Sequence, residues 1–250
     1  MTSFDLSDRV VIVTGASSGL GEQFALALHA AGAKVVAVAR RKERLDALAA
    51  ACPGLDARPL DVTDDEGCNR LVEDVRTTYG RIDGLVNNAG LGTPALALED
   101  SLDHFRRVLD VNVTSVFHLS RLVAPVMIEA GRGSIVNIAS VYGLGSTYPV
   151  GDASYASSKA AVINLTRDLA GQWGKRGVRV NAIAPGFFRT EMAEEIFTNE
   201  AAHKRISLAT PLRRTGEPGE LDGALIFLLS DASSYVTGQT IAVDGGWTTH

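Results

Sequence analysis

Tyr155-Ala156-Ser157-Ser158-Lys159 sets a phenol and an ammonium four residues apart, and on a helix that spacing puts both on one face. Free tyrosine has a pKa of ~10 and is a poor base at neutral pH. A fixed positive charge within a few ångströms favours the phenolate and lowers that value. A tyrosine tuned this way protonates a carbonyl oxygen that receives hydride, or takes the proton of an alcohol that loses it. Ser140 directly follows the apolar run Ser134-Ile135-Val136-Asn137-Ile138-Ala139, and open parallel sheets bind their ligands at the C-terminal ends of strands. A hydroxyl there can bond the substrate oxygen and steady its developing charge. Asn112 interrupts the apolar face of a helical stretch; taken alone it reads as a satisfied core amide.

A second constellation concerns phosphate. Thr14-Gly15-Ala16-Ser17-Ser18-Gly19-Leu20-Gly21 follows the first strand pattern and opens the first helix. Glycines in that place allow a tight turn and let backbone N–H groups and the helix N-terminus reach a pyrophosphate. The spacing is GxxxGxG rather than GxGxxG, but the strand before it and the helix after it are the context such a loop requires. About 20 residues further on, an acid would grip the ribose 2′-OH of NAD, whereas arginine accommodates the 2′-phosphate of NADP. This chain has Ala39 and then Arg40-Arg41. Two guanidiniums and no repelling carboxylate favour NADP over NAD; the alternative is that Arg40 and Arg41 merely begin a solvated helix.

The elements that must position these residues alternate. Strand patterns at Val10–Val13, Lys34–Ala39, Ala57–Asp61, Gly84–Asn87, Ser134–Ile138, Val178–Ile183 and Gln239–Val243 are separated by helical patterns at Glu22–Ala31, Arg41–Ala51, Glu66–Tyr79, Leu102–Met127, Ser154–Trp173 and Glu220–Leu229. Gly32 stands where a helix ends in a left-handed residue. Near-continuous apolar strands with helices between them predict an α/β fold, a doubly wound parallel sheet of Rossmann type with helices on both faces. One domain over residues 1–250 is expected. The less regular stretch 187–218 holds weakly periodic apolar residues, and a long insertion after a strand end is expected as a lid over the site.

Composition narrows the partners. The chain has 250 residues, 46% hydrophobic and 21% charged, with 24 basic against 29 acidic side chains. A net charge of −5 argues against nucleic acid or an anionic membrane as partner. No run approaches the ~18 apolar residues of a membrane span, and the N-terminus has no secretory h-region. Cys52 and Cys68 form no CxxC pair, so no metal site is expected, and a reducing, cytoplasmic setting is.

Together these residues resemble the short-chain dehydrogenase/reductase family from end to end. The matching elements are Thr14–Gly21, Asp61-Val62, Asn87-Asn88-Ala89-Gly90, Asn112, Ser140, Tyr155 with Lys159, Pro185-Gly186 with Thr190, and Asp244-Gly245-Gly246. The resemblance implies Tyr155 as acid/base, Lys159 lowering its pKa and binding the nicotinamide ribose, Ser140 orienting substrate, and Asn112 holding a water in a proton relay. It implies cofactor contacts from Gly15, Ser17, Ser18, Gly19, Leu20 and Gly21. Asp61 and Val62 would lie at the adenine, Asn88, Ala89 and Gly90 along the ribose, and Pro185, Gly186 and Thr190 at the carboxamide. It also implies strand order 3-2-1-4-5-6-7 and a homotetramer or homodimer, with the Gly238–Trp247 flank at one interface. Tyr155 follows Ser140 by fifteen positions, a longer interval than in many members, so the loop Val141–Val150 is expected to shape the substrate pocket.

The function expected is hydride transfer between NADP(H) and a small carbonyl or secondary-alcohol substrate. A 3-oxoacyl-carrier-protein reductase is the alternative within the class; Arg132, Lys175 and Arg176 are its only candidates for docking an acidic carrier. A sensor that binds NADP(H) without catalysis is the alternative outside it, disfavoured because Tyr155 and Lys159 are both present. Leu144, Tyr148, Phe187, Phe188, Met192 and Phe197 in the loop and lid point to an apolar or cyclic ketone.

Overall fold

The computed structural model describes residues 4–148 and 150–249; Met1 to Ser3, His250 and Pro149 of the expected pocket loop lie outside them. Seven parallel strands form one sheet in the order β3-β2-β1-β4-β5-β6-β7. They are β1 (Val10–Thr14), β2 (Lys34–Ala39), β3 (Asp56–Pro59), β4 (Gly84–Asn87), β5 (Gly133–Ile138), β6 (Val178–Pro185) and β7 (Thr240–Val243). The expected strand order is therefore observed, and Gly32 takes φ +90° behind the first helix as expected.

Pleating divides the strand residues between two cores. Val11, Val13, Val35 and Ala37 face one side and pack with Phe24, Leu28, Leu45 and Leu225. Those partners come from α1 (Gly19–Ala30), α2 (Lys42–Ala51) and α9 (Asp222–Leu229). Val10, Ile12, Val36 and Val38 face the other side, against Leu71, Val75, Leu119, Val123 and Leu169. Those belong to α3 (Asp65–Tyr79), α5 (Ser115–Glu129) and α6 (Ala153–Trp173). Central strands buried on both faces explain why the sequence reads as solid apolar runs rather than alternating ones.

One expected helix is not continuous. The stretch expected as Leu102–Met127 is α4 (Leu102–Leu109), a π-helical turn at Asp110–Thr114, and α5. The widened turn carries Asn112, and single π turns inside helices recur at functional sites. By length and hydropathy the segment 102–129 is also long and apolar enough to cross a membrane. Its Val116, Leu119, Val123 and Met127 are instead buried within the protein.

The segment expected as a lid leaves the sheet at Phe187 and returns at Gly216, whose N–H bonds the Phe187 carbonyl at 2.9 Å. Between them lie α7 (Glu194–Thr198) and α8 (Glu200–Ala209).

A buried polar chain holds the centre of the sheet to the helices behind the site. The Asn87 amide donates to Asn137 Oδ1 at 2.8 Å and to Ser120 Oγ at 3.1 Å. Asn137 in turn donates to Thr166 Oγ1 at 2.9 Å, which bonds the Val162 carbonyl. All four side chains are buried, and a buried donor left without a partner costs ~1–3 kcal/mol. Asn137→Ala removes one partner each from Asn87 and Thr166. It should lower unfolding stability by about 2–4 kcal/mol, read as a fall in urea midpoint at unchanged m-value; a loss under 0.5 kcal/mol would show the chain is dispensable.

Candidate active site

The loops after β1 and β4 are bound to each other before any ligand is considered. Thr14 Oγ1 accepts from the N–H groups of Asn88 and Ala89, both at 3.0 Å. The Asn88 side-chain amide donates back to the Thr14 carbonyl at 3.0 Å. Gly15 sits at φ +69°. A Cβ on Gly21 would overlap the Gly15 carbonyl and the Asn88 amide, so only glycine lets helix α1 begin so close to this turn. These contacts place Asn88, Ala89 and Gly90 beside the loop 14–21, at the point where the sheet's strand order reverses.

Ser18 caps α1 in an extended conformation and its hydroxyl bonds none of the helix's own N–H groups. The first N–H groups of α1 therefore remain free to meet an anion. Arg41 reaches back over this loop, donating from Nε to Ser17 Oγ at 3.2 Å and from Nη2 to Ser18 Oγ. Arg40 is directed elsewhere: it is largely exposed and pairs with Asp61 at 3.8 Å. Burial pushes the Asp61 carboxyl up, but bonds from the Thr63 N–H and hydroxyl, with Arg40 nearby, bring it net below its usual value. Asp61 lies with Arg40, Arg58, Pro59, Leu60, Gly67 and Arg70 around a cleft of ≈ 690 Å³, and its neighbour Val62 is buried. Leu20 packs partly buried on the core.

Across the loop, β6 ends at Pro185. A Cβ on Gly186 would press into the Asp244 backbone at 2.7 Å, which is why the strand turns there on glycine. Thr190 Oγ1 accepts from the Ala193 N–H at 3.2 Å. The Thr190 side chain comes within 3.3 Å of a Cβ built on Gly19. The first turn of segment 187–218 thus faces the N-terminus of α1.

The residues expected to move the proton come together from the end of β5 and the first turns of α6. Asp152 caps α6, its Oδ1 accepting from the Tyr155 N–H and the Ser154 hydroxyl, each at 3.1 Å. Ser140 ends the β5 run and accepts from the Tyr142 N–H at 3.1 Å. It starts a 3-10 turn, Val141–Gly143, whose Gly143 lies so near the Lys159 carbonyl that a Cβ would come within 2.8 Å of it. That contact presses the Ser140 turn onto α6. The Lys159 ammonium is buried, donates to the Ile138 carbonyl at 2.8 Å, and sits 5.5 Å from the centre of the Tyr155 ring.

Burial acts on both titratable groups in the direction of their neutral forms. It pushes the Tyr155 phenol up to about 12, partly opposed by a hydrogen bond with Ser140. It brings the Lys159 ammonium down to about 8. The depression of the tyrosine expected from its lysine neighbour is not found: desolvation, with Asp152 and Tyr142 adding to it, raises the phenol, and the Ser140 bond alone opposes them. At neutral pH the pair stands as protonated phenol and ammonium.

Asn112 is fully buried in the π turn. Its Oδ1 accepts from the Leu91 N–H at 2.7 Å, and its Nδ2 donates to the Leu91 carbonyl at 2.8 Å and to Ser158 Oγ at 2.9 Å. Both amide hydrogens are spent, so a water could find only the second lone pair of Oδ1. In this structure the side chain stitches the loop after β4 to α6, close to the core-amide reading.

The sequence reading expected Phe187 and Met192 at the pocket and Tyr142 within its loop, but missed Trp247 and Gly92 as their neighbours. Tyr142, Phe187 and Trp247 form an aromatic wall, with ring centroids 5.9 and 4.7 Å apart and edge-on geometry. A Cβ on Gly92 would meet the Tyr155 ring at 3.0 Å and Met192 Sδ at 3.2 Å, so Gly92 keeps the approach to the phenol open. Trp247 lies a hundred residues from Tyr142 and carries no local signal; Gly92 had one in the pair Gly90-Leu91-Gly92. Of the apolar residues expected at the pocket, Phe188 is instead part of the core beneath α1 and α9. Phe197 packs on His203 and under Arg189. Tyr148 is exposed.

Residues 15–248 match the family described as enoyl-(acyl carrier protein) reductase. The chain is 42% identical to the 3-oxoacyl-[acyl-carrier-protein] reductase of Thermotoga maritima, over 96% of this chain and 98% of that one. Its structure superposes on a short-chain type dehydrogenase/reductase from Mycobacterium marinum with TM-score 0.93 at 37% identity, covering 99% and 98% of the two chains. A gluconate 5-dehydrogenase from Burkholderia cenocepacia, in complex with NADP and tartrate, gives TM-score 0.94 at 35% identity over 99% and 98%. Together with the parallel sheet, the glycine loop at its switch point and the tyrosine–lysine helix, these matches show that the chain belongs to the short-chain dehydrogenase/reductase family and is an oxidoreductase acting on CH–OH groups.

Proposed function

We propose that this enzyme prefers NADP(H) to NAD(H) and interconverts a ketone and a secondary alcohol through Ser140, Tyr155, Lys159 and Asn112. The observation that carries the reading is the Ser140–Tyr155–Lys159 cluster itself, built at the C-terminal edge of β5 beside the glycine loop. The residues around that loop fit a dinucleotide phosphate: free N–H groups at the start of α1, two serine hydroxyls and the Arg41 guanidinium. Gly15, Ser17, Ser18, Gly19, Leu20 and Gly21 would hold the phosphates, with Arg41 reading the 2′-phosphate and Arg40 at its margin. Asp61 and Val62 would take the adenine, Asn88, Ala89 and Gly90 the ribose, and Pro185, Gly186 and Thr190 the carboxamide. When bound, the nicotinamide supplies or accepts the hydride.

The chain's own part is the proton. In the reductive direction the Tyr155 phenol, protonated at neutral pH, gives its hydrogen to the substrate oxygen. The Ser140 hydroxyl, already bonded to that phenol, turns its hydrogen toward the same oxygen and steadies the charge forming there. The Lys159 ammonium stabilises the phenolate left behind. Asn112 fixes the loop after β4 against α6, so that Gly90 and Lys159 stay in register.

The aromatic wall of Tyr142, Phe187 and Trp247, with Met192 at the mouth, supports an apolar or cyclic ketone as substrate. We further take residues 1–250 as one catalytic domain whose segment 187–218 is the lid, acting in the cytoplasm as a homotetramer. In the C-terminal flank, Asp244 accepts from the N–H groups of Gly246 and Thr248 and so holds the short turn Trp247–Thr249.

Three outcomes test this reading. Tyr155→Phe should lower turnover by a factor of ~10²–10⁴ while NADPH still binds, and near-normal turnover would remove the tyrosine from its role. Because burial depresses Lys159, its charge is present below about pH 8 and lost above it. The kcat/KM for carbonyl reduction should therefore fall as pH rises through about 8; a profile flat to pH 10 would show that the ammonium contributes nothing. Arg41→Ala should weaken NADPH about tenfold or more, the worth of a charge-assisted hydrogen bond, with NADH nearly unaffected. Equal weakening of both cofactors in a nicotinamide-fluorescence titration would show that Arg41 does not read the 2′-phosphate.

A further inference from the structure

The guanidinium assigned to the 2′-phosphate already holds an anion. Glu191, the residue after Thr190 at the start of the lid, places Oε2 at 2.9 Å from Arg41 Nη1 and Oε1 at 3.2 Å from Arg44 Nη2. Its carboxylate also bonds Ser18. Two arginines and a loop serine thus surround a carboxylate that is half-exposed and lies on a different element from either arginine. The Arg41 hydrogen bond, with Ser18 and Arg44 adding to it, holds Glu191 below its usual carboxylate range. It is ionised throughout the neutral range.

We propose that Glu191 is an internal competitor for the 2′-phosphate site and thereby sets the enzyme's selectivity between the phosphorylated and unphosphorylated dinucleotides. The proposal rests on the reading of Arg41 as the phosphate-binding residue. A phosphate monoester carries a charge of −1.5 to −2 near neutrality, and it cannot share one guanidinium at contact distance with a carboxylate without repulsion. NADP(H) must therefore displace Glu191 from Arg41 and Arg44. NAD(H) leaves the pairing intact and has no anion to displace.

Glu191 is also the first residue of the lid's opening turn, Glu191–Ala193. Its release by the phosphate frees that turn from α2, so the same exchange couples cofactor identity to the lid. Arg44, which no phosphate-loop reading singles out, becomes the second guanidinium available to the phosphate once the carboxylate has left.

The test is Glu191→Gln in the full-length protein, with NADPH and NADH bound separately and followed by nicotinamide fluorescence. Glutamine keeps the size but not the charge, and its single amide oxygen can accept from one of the two arginines rather than both. NADPH should bind about fivefold or more tighter, as expected for relief of a close like-charge contact, while NADH changes by less than twofold. The gain should shrink as salt is raised from low to high ionic strength and vanish in the Arg41→Ala background. If both cofactors tighten or weaken together, or NADPH weakens, the proposal is overturned. The Arg41→Ala single variant separates the two readings. If it penalises NADPH selectively and Glu191→Gln does nothing selective, only the competitor role falls; if it penalises both cofactors equally, the phosphate reading falls first. Glu191→Ala, measured alongside, guards against a folding defect of the glutamine variant and should give the same sign.

Discussion

The site depends on keeping a lysine ammonium out of water. Removing such a charge from solvent costs several kcal/mol unless the protein replaces what water gave. Here the replacement is the Ile138 carbonyl at 2.8 Å and the face of the Tyr155 ring. Both have to be rigid, because a loose partner would let water in and return the lysine to its ordinary basicity. The surroundings follow from that need. Gly143 lies against the α6 backbone where a side chain would not fit, Asp152 pins the first turn of α6, and the Asn87–Asn137–Thr166 chain ties that helix to the two central strands.

The same burial decides which proton-transfer form is ready. Desolvation favours the neutral phenol and works against the ammonium, so the resting pair at neutral pH holds a proton on Tyr155 and a charge on Lys159. That is the state needed to protonate a carbonyl oxygen. On the proposed mechanism the oxidative direction requires the tyrosine first to lose its proton, and the nearby cation and Ser140 are the groups that can make this less costly.

The phosphate side is organised by backbone rather than by charge. Thr14 and Asn88 lock two loops together, and the glycines at 15 and 21 remove the atoms that would hold those loops apart. Charge enters only at the rim, where Arg41 and Arg44 divide their attention between two serines and a glutamate. A rim exposed to solvent is screened, which on the proposed reading suits it to selecting between cofactors more than to supplying the bulk of their affinity.

Much of this was legible in the chain before folding. Solid apolar runs broken by helical stretches point to a parallel sheet buried on both faces, and the strand bounds follow within two residues and most helix bounds within three, while the break in the 102–127 stretch and helices α7 and α8 do not follow. Tyr155 with Lys159, Ser140 and the 14–21 loop could be read because their chemistry is local: a four-residue helical spacing, a hydroxyl at a strand end, glycines between strand and helix. Other features were settled only by packing. The π turn at Asn112 comes from the contact of Leu91 and Ser158 with one amide, not from any helix-breaking residue. Phe188 went to the core and Trp247 to the Phe187 ring because segment 187–218 returns to the sheet at Gly216 and Gly245 and Gly246 pack on Thr210 and Pro211. Local spacing names the residues that can do chemistry, but desolvation and long-range contacts determine their proton affinities and neighbours, and those exist only once distant segments are brought together.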